Sequence, residues 1–451
     1  MTISRVLLAN RGEIAVRIIK ACRALGIESV VAVSEADRES LPSKVADRVV
    51  CIGPARSADS YLRVEAIIAA ATGTGSDAVH PGYGFLAEEP ELAEACSKYG
   101  LKFIGPRVEH IRKMGNKLLA RSMVSGYGIQ VVPGSKKVTD VQEAFAIAKE
   151  IGFPVLFKAA AGGGGRGIKN VTGPGELKEA FETATAEARG AFGDETLYVE
   201  RYIPNARHIE VQVLGDQFGN VIHVGERDCS LQRRYQKLIE EAPAASISDH
   251  LREEIQRAAV TVAKEMRYEN AGTVEFIVDQ DSGRFYFLEV NTRIQVEHPV
   301  TEMITDIDLV KEQICIADGK PLAFSQSDVR FTGHAVECRI NAESPKDGFR
   351  PCPGSIIEWS PPEGPCIRVD SHCFPGYFVP PYYDSLLAKL ITQGADRREA
   401  VERMRHALDN FVVSGVETTI PFLRFLLGQL GYTEGEVNTR WVESRLDQFS
   451  V

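Results

Sequence analysis

Through the first hundred residues, short apolar runs alternate with stretches of helical period. Residues 5–9 are apolar and β-branched. Residues 12–25 then place Ile14, Val16, Ile18, Ile19, Cys22 and Leu25 at helical spacing, and Gly26 follows where a helix would stop. A second apolar run at 29–33 completes a strand–helix–strand unit, which reads as parallel pairing. Strand signals continue at 48–52, 78–79 and 101–104, with helical signals near 61–71 and 87–99. The expectation is an α/β N-terminal domain built on a doubly wound parallel sheet. Its first turn holds one glycine, Gly12, so the G-x-G-x-x-G dinucleotide fingerprint is missing.

Beyond a linker near 106–117, helical period returns at 141–151 and 176–191. Strand-like patterning dominates 197–316, interrupted by a helix near 249–266. From 331 onward short strands mix with Pro-rich turns, and helices near 397–410 and 420–430 close the chain. Four segments result, 1–114, 115–202, 203–330 and 331–451, the last a mixed α+β domain. In the third, Gly272-Thr-Val-Glu275-Phe-Ile-Val278 and Arg284-Phe-Tyr-Phe-Leu-Glu289-Val-Asn291 flank a turn at 279–283, which predicts a β-hairpin. A ladder centred on residue 282 sets Glu275 opposite Glu289, their Cβ atoms roughly 5 Å apart.

Composition narrows the partners. The 451 residues fit about three domains of roughly 150 each. With 44% apolar and 25% charged residues the chain is globular, not disordered, collagen-like or coiled coil. Lys and Arg number 52 against 62 Asp and Glu, and the net charge of −10 speaks against nucleic acid as a main partner. Any anionic ligand must therefore be held by local geometry. No apolar run approaches the length of a spanning helix and no export signal is present, so neither membrane nor secretion is expected. Nine dispersed cysteines without a C-x-x-C pair read as mostly buried, reduced thiols of a cytoplasmic protein.

Four clusters carry chemistry. Five of the six residues 162–167 are glycine, and Lys158 precedes them at the end of a strand. That arrangement reads as a phosphate lid, although the Walker order of glycines then Lys is absent; a flexible linker is the alternative. The pair Glu275 and Glu289, with Asn291 two residues on, presents hard oxygen donors suited to Mg²⁺ or Mn²⁺. Residues 291–298 crowd Arg293, Gln295, Glu297 and His298 together, a planar cation, an amide and a general base around a small oxyanion such as bicarbonate. His298 alone reads as structural. Residues 226–237 hold four cations, which fit an oxyanion pocket better than a solvated loop, and Cys229 among them reads as a packed thiol.

On these residues the chain resembles the biotin carboxylase component of biotin-dependent carboxylases, within the ATP-grasp superfamily. The resemblance rests on Ala9-Asn-Arg-Gly-Glu-Ile-Ala15, His80-Pro-Gly-Tyr-Gly-Phe-Leu86, Lys158-Ala-Ala-Ala-Gly-Gly-Gly-Gly-Arg-Gly167, Glu226-Arg-Asp-Cys-Ser230 and Gln232-Arg-Arg234. It also rests on Glu289-Val-Asn-Thr-Arg-Ile-Gln-Val-Glu-His-Pro-Val-Thr-Glu302, Gly333-His-Ala-Val-Glu-Cys-Arg-Ile-Asn-Ala-Glu343 and Pro380-Pro-Tyr-Tyr-Asp-Ser385. Other ATP-grasp ligases would lack the last two blocks. A silent nucleotide-binding subunit would have lost Arg293, Glu297 or Arg339, and all three are present.

The resemblance implies a lid in 115–202 and an ATP-grasp core in 203–330. It implies ATP-dependent carboxylation of biotin by bicarbonate through carboxyphosphate, the first half-reaction of an enzyme such as acetyl-CoA carboxylase. Lys117 and Lys158 would hold ATP phosphates, with the backbone of Gly164 and Gly165 closing over them. Glu200, Arg201, Tyr202 and Ile203 would form the adenine-reading hinge. His208 and Gln232 would contact the ribose region, with Tyr235 on the nucleotide side. Glu275, Glu289 and Asn291 would bind metal. Lys237, Arg293, Gln295 and Val296 would hold bicarbonate, Glu297 would take its proton, and Arg339 would stabilise the biotin enolate. Three positions depart from the family: Tyr235 replaces the usual His, Asp306 the usual Gly, and Glu89 the usual Asn. No Met is followed by Lys, so the biotinyl-lysine motif is missing. The expectation is that biotin arrives on a separate carrier protein, that a separate subunit holds the carboxyltransferase, and that the chain is a homodimer.

Overall fold

In the computed structural model, residues 2–160 and 168–449 are described. Gly164 and Gly165 lie outside them. The strands β1 (Arg5–Leu8), β2 (Glu28–Ser34), β3 (Arg48–Gly53), β4 (Ala78–His80) and β5 (Lys102–Phe103) pair in parallel in the order β3-β2-β1-β4-β5. Leu7, Val30 and Val79 pack into one apolar layer and Val6, Leu8 and Val31 into another, so both faces are covered as a doubly wound sheet requires. The helix Gly12–Ala24 stops where the glycine signal placed its end. Gly26 has φ +69°, its N–H bonds the Arg23 carbonyl at 3.2 Å, and the Ile27 N–H bonds that of Cys22 at 2.9 Å. These two bonds satisfy carbonyls that the helix leaves open.

A second unit has its own core. β6 (Gly134–Val138), β7 (Val155–Ala159), β8 (Lys169–Val171) and β9 (Leu197–Arg201) form a four-stranded sheet in the order β6-β9-β7-β8. The helices Val141–Ile151 and Leu177–Phe192 close over it through Ala144, Ala148, Ala184 and Ala188.

Apart from three two-stranded pairings within residues 343–414, the remaining strands make one large, antiparallel sheet. β10 (Ala206–Gly215), β11 (Val221–Arg233), β12 (Gln236–Ala242), β13 (Asn270–Asp279), β14 (Arg284–Asn291) and β15 (His334–Asn341) join the strands Leu386–Gly394 and Ile367–Ser371. Their order is β14-β13-β10-β11-β12-β15, then Leu386–Gly394, then Ile367–Ser371, eight strands that cross residue 330 without a break. Glu275 does face Glu289, but by a route the hairpin arithmetic did not foresee. From the turn outward Asp279 pairs with Arg284 and Phe276 with Phe287; a bulge then shifts the register, so that Glu275 pairs with Glu289 and not Leu288. One extra residue thereby sets the two carboxylates across from each other.

Two of the departures from the family occupy helix ends. Asp306 ends the helix His298–Thr305 in the left-handed region, at φ +59°, where a glycine pays no steric penalty. Glu89 precedes the helix Pro90–Lys98 and makes no side-chain cap bond, a role for which Asn is well suited. Asp306→Gly and Glu89→Asn are each expected to stabilise the protein by about 0.5–1 kcal/mol, read as a higher urea midpoint. A lower midpoint in either variant would overturn its explanation. Among the described residues no helix is long and apolar enough to cross a membrane.

Candidate active site

Four neighbouring strands carry a row of charges across the large sheet. Arg227 on β11 pairs in register with Glu210 on β10, Glu210 with Glu275 on β13, and Glu275 with Glu289 on β14. Opposed side chains share a face, so three carboxylates and one guanidinium stand side by side. Arg227 is fully buried and its Nε donates to Glu210 Oε1 at 2.5 Å. Lys237, the second residue of β12, reaches over the row. Its Nζ lies 2.6 Å from Glu210, 3.3 Å from Glu275 and 2.5 Å from Glu297. His208 Nε2 sits 3.0 Å from the other Glu275 oxygen, and its Nδ1 is 2.8 Å from Gln232 Nε2.

The segment after β14 folds back onto this row. Asn291 Nδ2 and Gln295 Nε2 both donate to Glu275 Oε1, at 2.8 and 3.1 Å. Arg293 donates to Gln295 at 2.6 Å, to Asn291 at 3.0 Å and to Glu88 of the N-terminal domain at 2.8 Å. Glu297 ends the segment just before the helix His298–Thr305. One of its oxygens meets Lys237, and the other accepts from Arg339 Nη2 at 3.0 Å. Arg339 on β15 also donates from Nε to Glu240 at 2.6 Å. The Val296 carbonyl accepts from Lys389 Nζ at 2.9 Å, and Lys389 is fully buried.

The residues expected around the nucleotide lie beside this cluster. Lys117 Nζ bonds Glu289, and Lys158, on β7, bonds Glu200 of β9, which Arg121 also reaches. The backbone N–H groups of Arg201 and Tyr202 bond the carbonyls of Pro133 and Pro154, tying the strand that leads to Ile203. Arg234 and Tyr235 form the two-residue turn joining β11 to β12, both with positive φ, and Tyr235 is half exposed.

Sequence relationships agree with this arrangement. Residues 2–111 match the biotin carboxylase N-terminal domain, 116–325 the ATP-binding domain of the carbamoyl-phosphate synthase L chain, and 337–444 the biotin carboxylase C-terminal domain. Biotin carboxylase 1 of Bacillus subtilis is 52% identical over 98% of this chain and 98% of its own. The chain belongs to the biotin carboxylase family. Its activity is the ATP-dependent carboxylation of biotin, which makes it a carboxylase ligase. A biotin carboxylase from Campylobacter jejuni superposes with a TM-score of 0.96 at 46% identity, covering 98% of this chain and 99% of its own. The biotin carboxylase domain of Hydrogenobacter thermophilus 2-oxoglutarate carboxylase, a dimer with MgADP and bicarbonate, superposes at 0.97 with 48% identity over the whole of both chains.

The electrostatics of this biotin carboxylase site turn on Glu297. Burial favours its neutral form, but Lys237, then Arg339 and Arg227, hold the carboxyl well below the usual carboxylate range. Glu275 is likewise held low against burial by Lys237 and His208. Burial, with Glu297 adding to it, pushes Glu210 upward. Burial pushes the Cys229 thiol well up, in keeping with a packed thiol. All nine cysteines are free, five of them buried. Sequence reasoning missed Glu210, Glu88, Glu240 and Lys389. Glu210 alone had an accessible signal, since its strand reads as alternating and pairs with the Glu275 strand.

Proposed function

We propose that the two halves of the reaction meet at Glu297, and that the residue roles follow from which side of it each group lies. On the β10–β14 side, Lys117 and Lys158 take the ATP phosphates, exchanging their carboxylate partners for phosphate oxygens. The hinge Glu200–Ile203, His208, Gln232 and Tyr235 line the nucleoside. The oxygen donors of Glu275, Glu289 and Asn291 fit a hard divalent cation, and these residues would hold Mg²⁺ or Mn²⁺, which neutralises phosphate charge when bound with the nucleotide. Lys237, Arg293, Gln295 and the Val296 backbone grip bicarbonate.

Glu297 takes the bicarbonate proton as the bicarbonate oxygen attacks the γ-phosphorus and the bond to ADP breaks, leaving carboxyphosphate. A carboxylate held so low is a weak base. Bicarbonate and biotin draw Lys237 and Arg339 toward themselves, and as those cations turn away Glu297 gains basicity when its substrate is in place. Arg339, on the far side, steadies the negative charge that develops on the biotin ureido oxygen during carboxyl transfer. Keeping carboxyphosphate from water is the reason for a closing lid. Biotin arrives on a separate carrier, the carboxyltransferase is a separate subunit, and the enzyme works in the cytoplasm as a homodimer, a reading of its assembly that the dimeric Hydrogenobacter domain supports.

The observation that carries this reading is the placement of Glu297 between Lys237 at 2.5 Å and Arg339 at 3.0 Å, one cation from each side. The test is ADP release with ATP, Mg²⁺ and bicarbonate, measured with and without free biotin. Release is expected to rise on adding biotin. A rate that does not respond to biotin sinks the proposal.

A further inference from the structure

Behind Arg339 stands a second carboxyl pair that the reaction above does not use. β15 turns Val336, Cys338 and Ile340 into the core beneath the C-terminal helices, which leaves Ala335, Glu337 and Arg339 on its other face. Glu240 of β12 is directly opposite Glu337 in the ladder, so their Cβ atoms are roughly 5 Å apart. Ile391 flanks Glu337 from the other neighbouring strand. Val300 and Ile304 of the helix His298–Thr305 pack with Ala335, Ala242 and Ile391 over the same face. Both carboxyls are fully buried.

One Glu240 oxygen accepts from Arg339. Among the described residues, the other Glu240 oxygen and both Glu337 oxygens have no hydrogen-bond partner. The nearest cation on the adjoining strand, Lys389, is engaged by Glu13 at 3.1 Å and the Val296 carbonyl. Two ionised carboxylates facing each other in this setting would combine like-charge repulsion with uncompensated desolvation. One proton on the pair removes a charge and supplies the missing donor.

We propose that Glu337 is held as a neutral carboxylic acid that donates its proton to the open oxygen of Glu240, and that this acid–carboxylate pair positions Arg339. Glu240 then keeps its charge on the oxygen that faces the guanidinium. A second full charge on Glu337 would draw Arg339 deeper into the sheet, away from substrate. Burial raises the Glu337 carboxyl well above its usual range, with Lys389 opposing and Glu240 adding to the rise, in the direction the geometry requires. Glu337 touches neither substrate nor reacting atoms, so it is a positioning residue. Its kinetic consequence rests on the role assigned to Arg339 above.

Two variants separate donor from charge. Glu337→Gln keeps an N–H aimed at Glu240; Glu337→Leu keeps the volume and loses the donor. In isotope-edited infrared spectra of the whole enzyme with labelled glutamate, wild type is expected to show a carboxylic-acid carbonyl band that both variants lose. With free biotin, Glu337→Gln is expected to hold carboxybiotin formation within about threefold of wild type, and Glu337→Leu to lower its kcat about tenfold or more, with bicarbonate-dependent ATP cleavage changed far less. A spectrum in which neither variant loses an acid band overturns the proposal. Equal kinetic loss in both variants overturns it too. The infrared result stands even if Arg339 proves not to act on biotin, so the two assignments fail separately. If the leucine variant does not fold, the glutamine variant and its spectrum still decide.

Discussion

Lys237→Ala is expected to lower bicarbonate-dependent ADP release by about 10²–10³-fold, the loss typical of removing one preorganised charge from a reacting site. The side chain does two things at once. In the proposed reaction it grips bicarbonate, and it is the shared partner of Glu210, Glu275 and Glu297. Without it three buried carboxylates lose a common cation, and breaking such a pairing costs about 3–5 kcal/mol of stability. Thermal unfolding should therefore shift downward together with the rate. The pH profile adds a signature that unfolding alone would not produce. Lys237 is the largest of the cationic influences opposing the effect of burial on Glu297, so its removal raises that carboxyl. A base with a raised pKa becomes protonated earlier on acidification, and the acid limb of any residual activity moves to higher pH. A folded variant releasing ADP within about tenfold of wild type would remove Lys237 from the machinery.

Arg339→Ala is expected to split the two half-reactions. Carboxybiotin formation falls by about 10²-fold or more, because the positive charge proposed to face the developing oxyanion is gone. ATP cleavage driven by bicarbonate persists, since Lys237, Arg293 and Glu297 all remain. Arg339 is the only cation bonded to the buried Glu240 among the described residues, so the variant also loses stability. The measurement pairs ADP release with carboxybiotin yield in the same sample. Unaltered carboxybiotin yield would end the assignment; a proportional loss of both would place Arg339 in the first step instead.

Much of this arrangement was legible along the chain, and the limits have physical causes. The parallel N-terminal sheet follows from period alone, and Gly26 marks its first helix end because a left-handed residue there suits glycine. Glu275 and Glu289 were paired correctly from the hairpin, yet the bulge that makes the pairing is invisible, since an extra residue leaves no mark in a run such as Phe285-Tyr-Phe-Leu-Glu289. The charge-rich stretch 226–237 shows the other limit. It suggested one cationic pocket, but register shifts against β12 between Asp228 and Gln232 interrupt the alternation of β11. Arg227 and Lys237 meet the carboxylate row, whereas Arg233 stacks 4.0 Å over Phe349 and Arg234 lies in the turn to β12. Arg227 and Lys389 are fully buried cations, the first paired with Glu210 of the neighbouring strand β10 and the second with Glu13 of the helix Gly12–Ala24. Only tertiary pairing distinguishes them from surface charges.

The eight-stranded sheet makes the carboxylate row and Arg339 parts of a single stiff plate. The spacing between the carboxylate row and Arg339 is set by the distance between neighbouring strands, like graduations on a ruler. Segments that look separable along the chain are therefore inseparable as solids. Cutting between β12 and β15 would strip partners from Ile239 to Ala242 on one side and Ala335 to Cys338 on the other. Two raw sheet edges would be left, each a template for joining strangers.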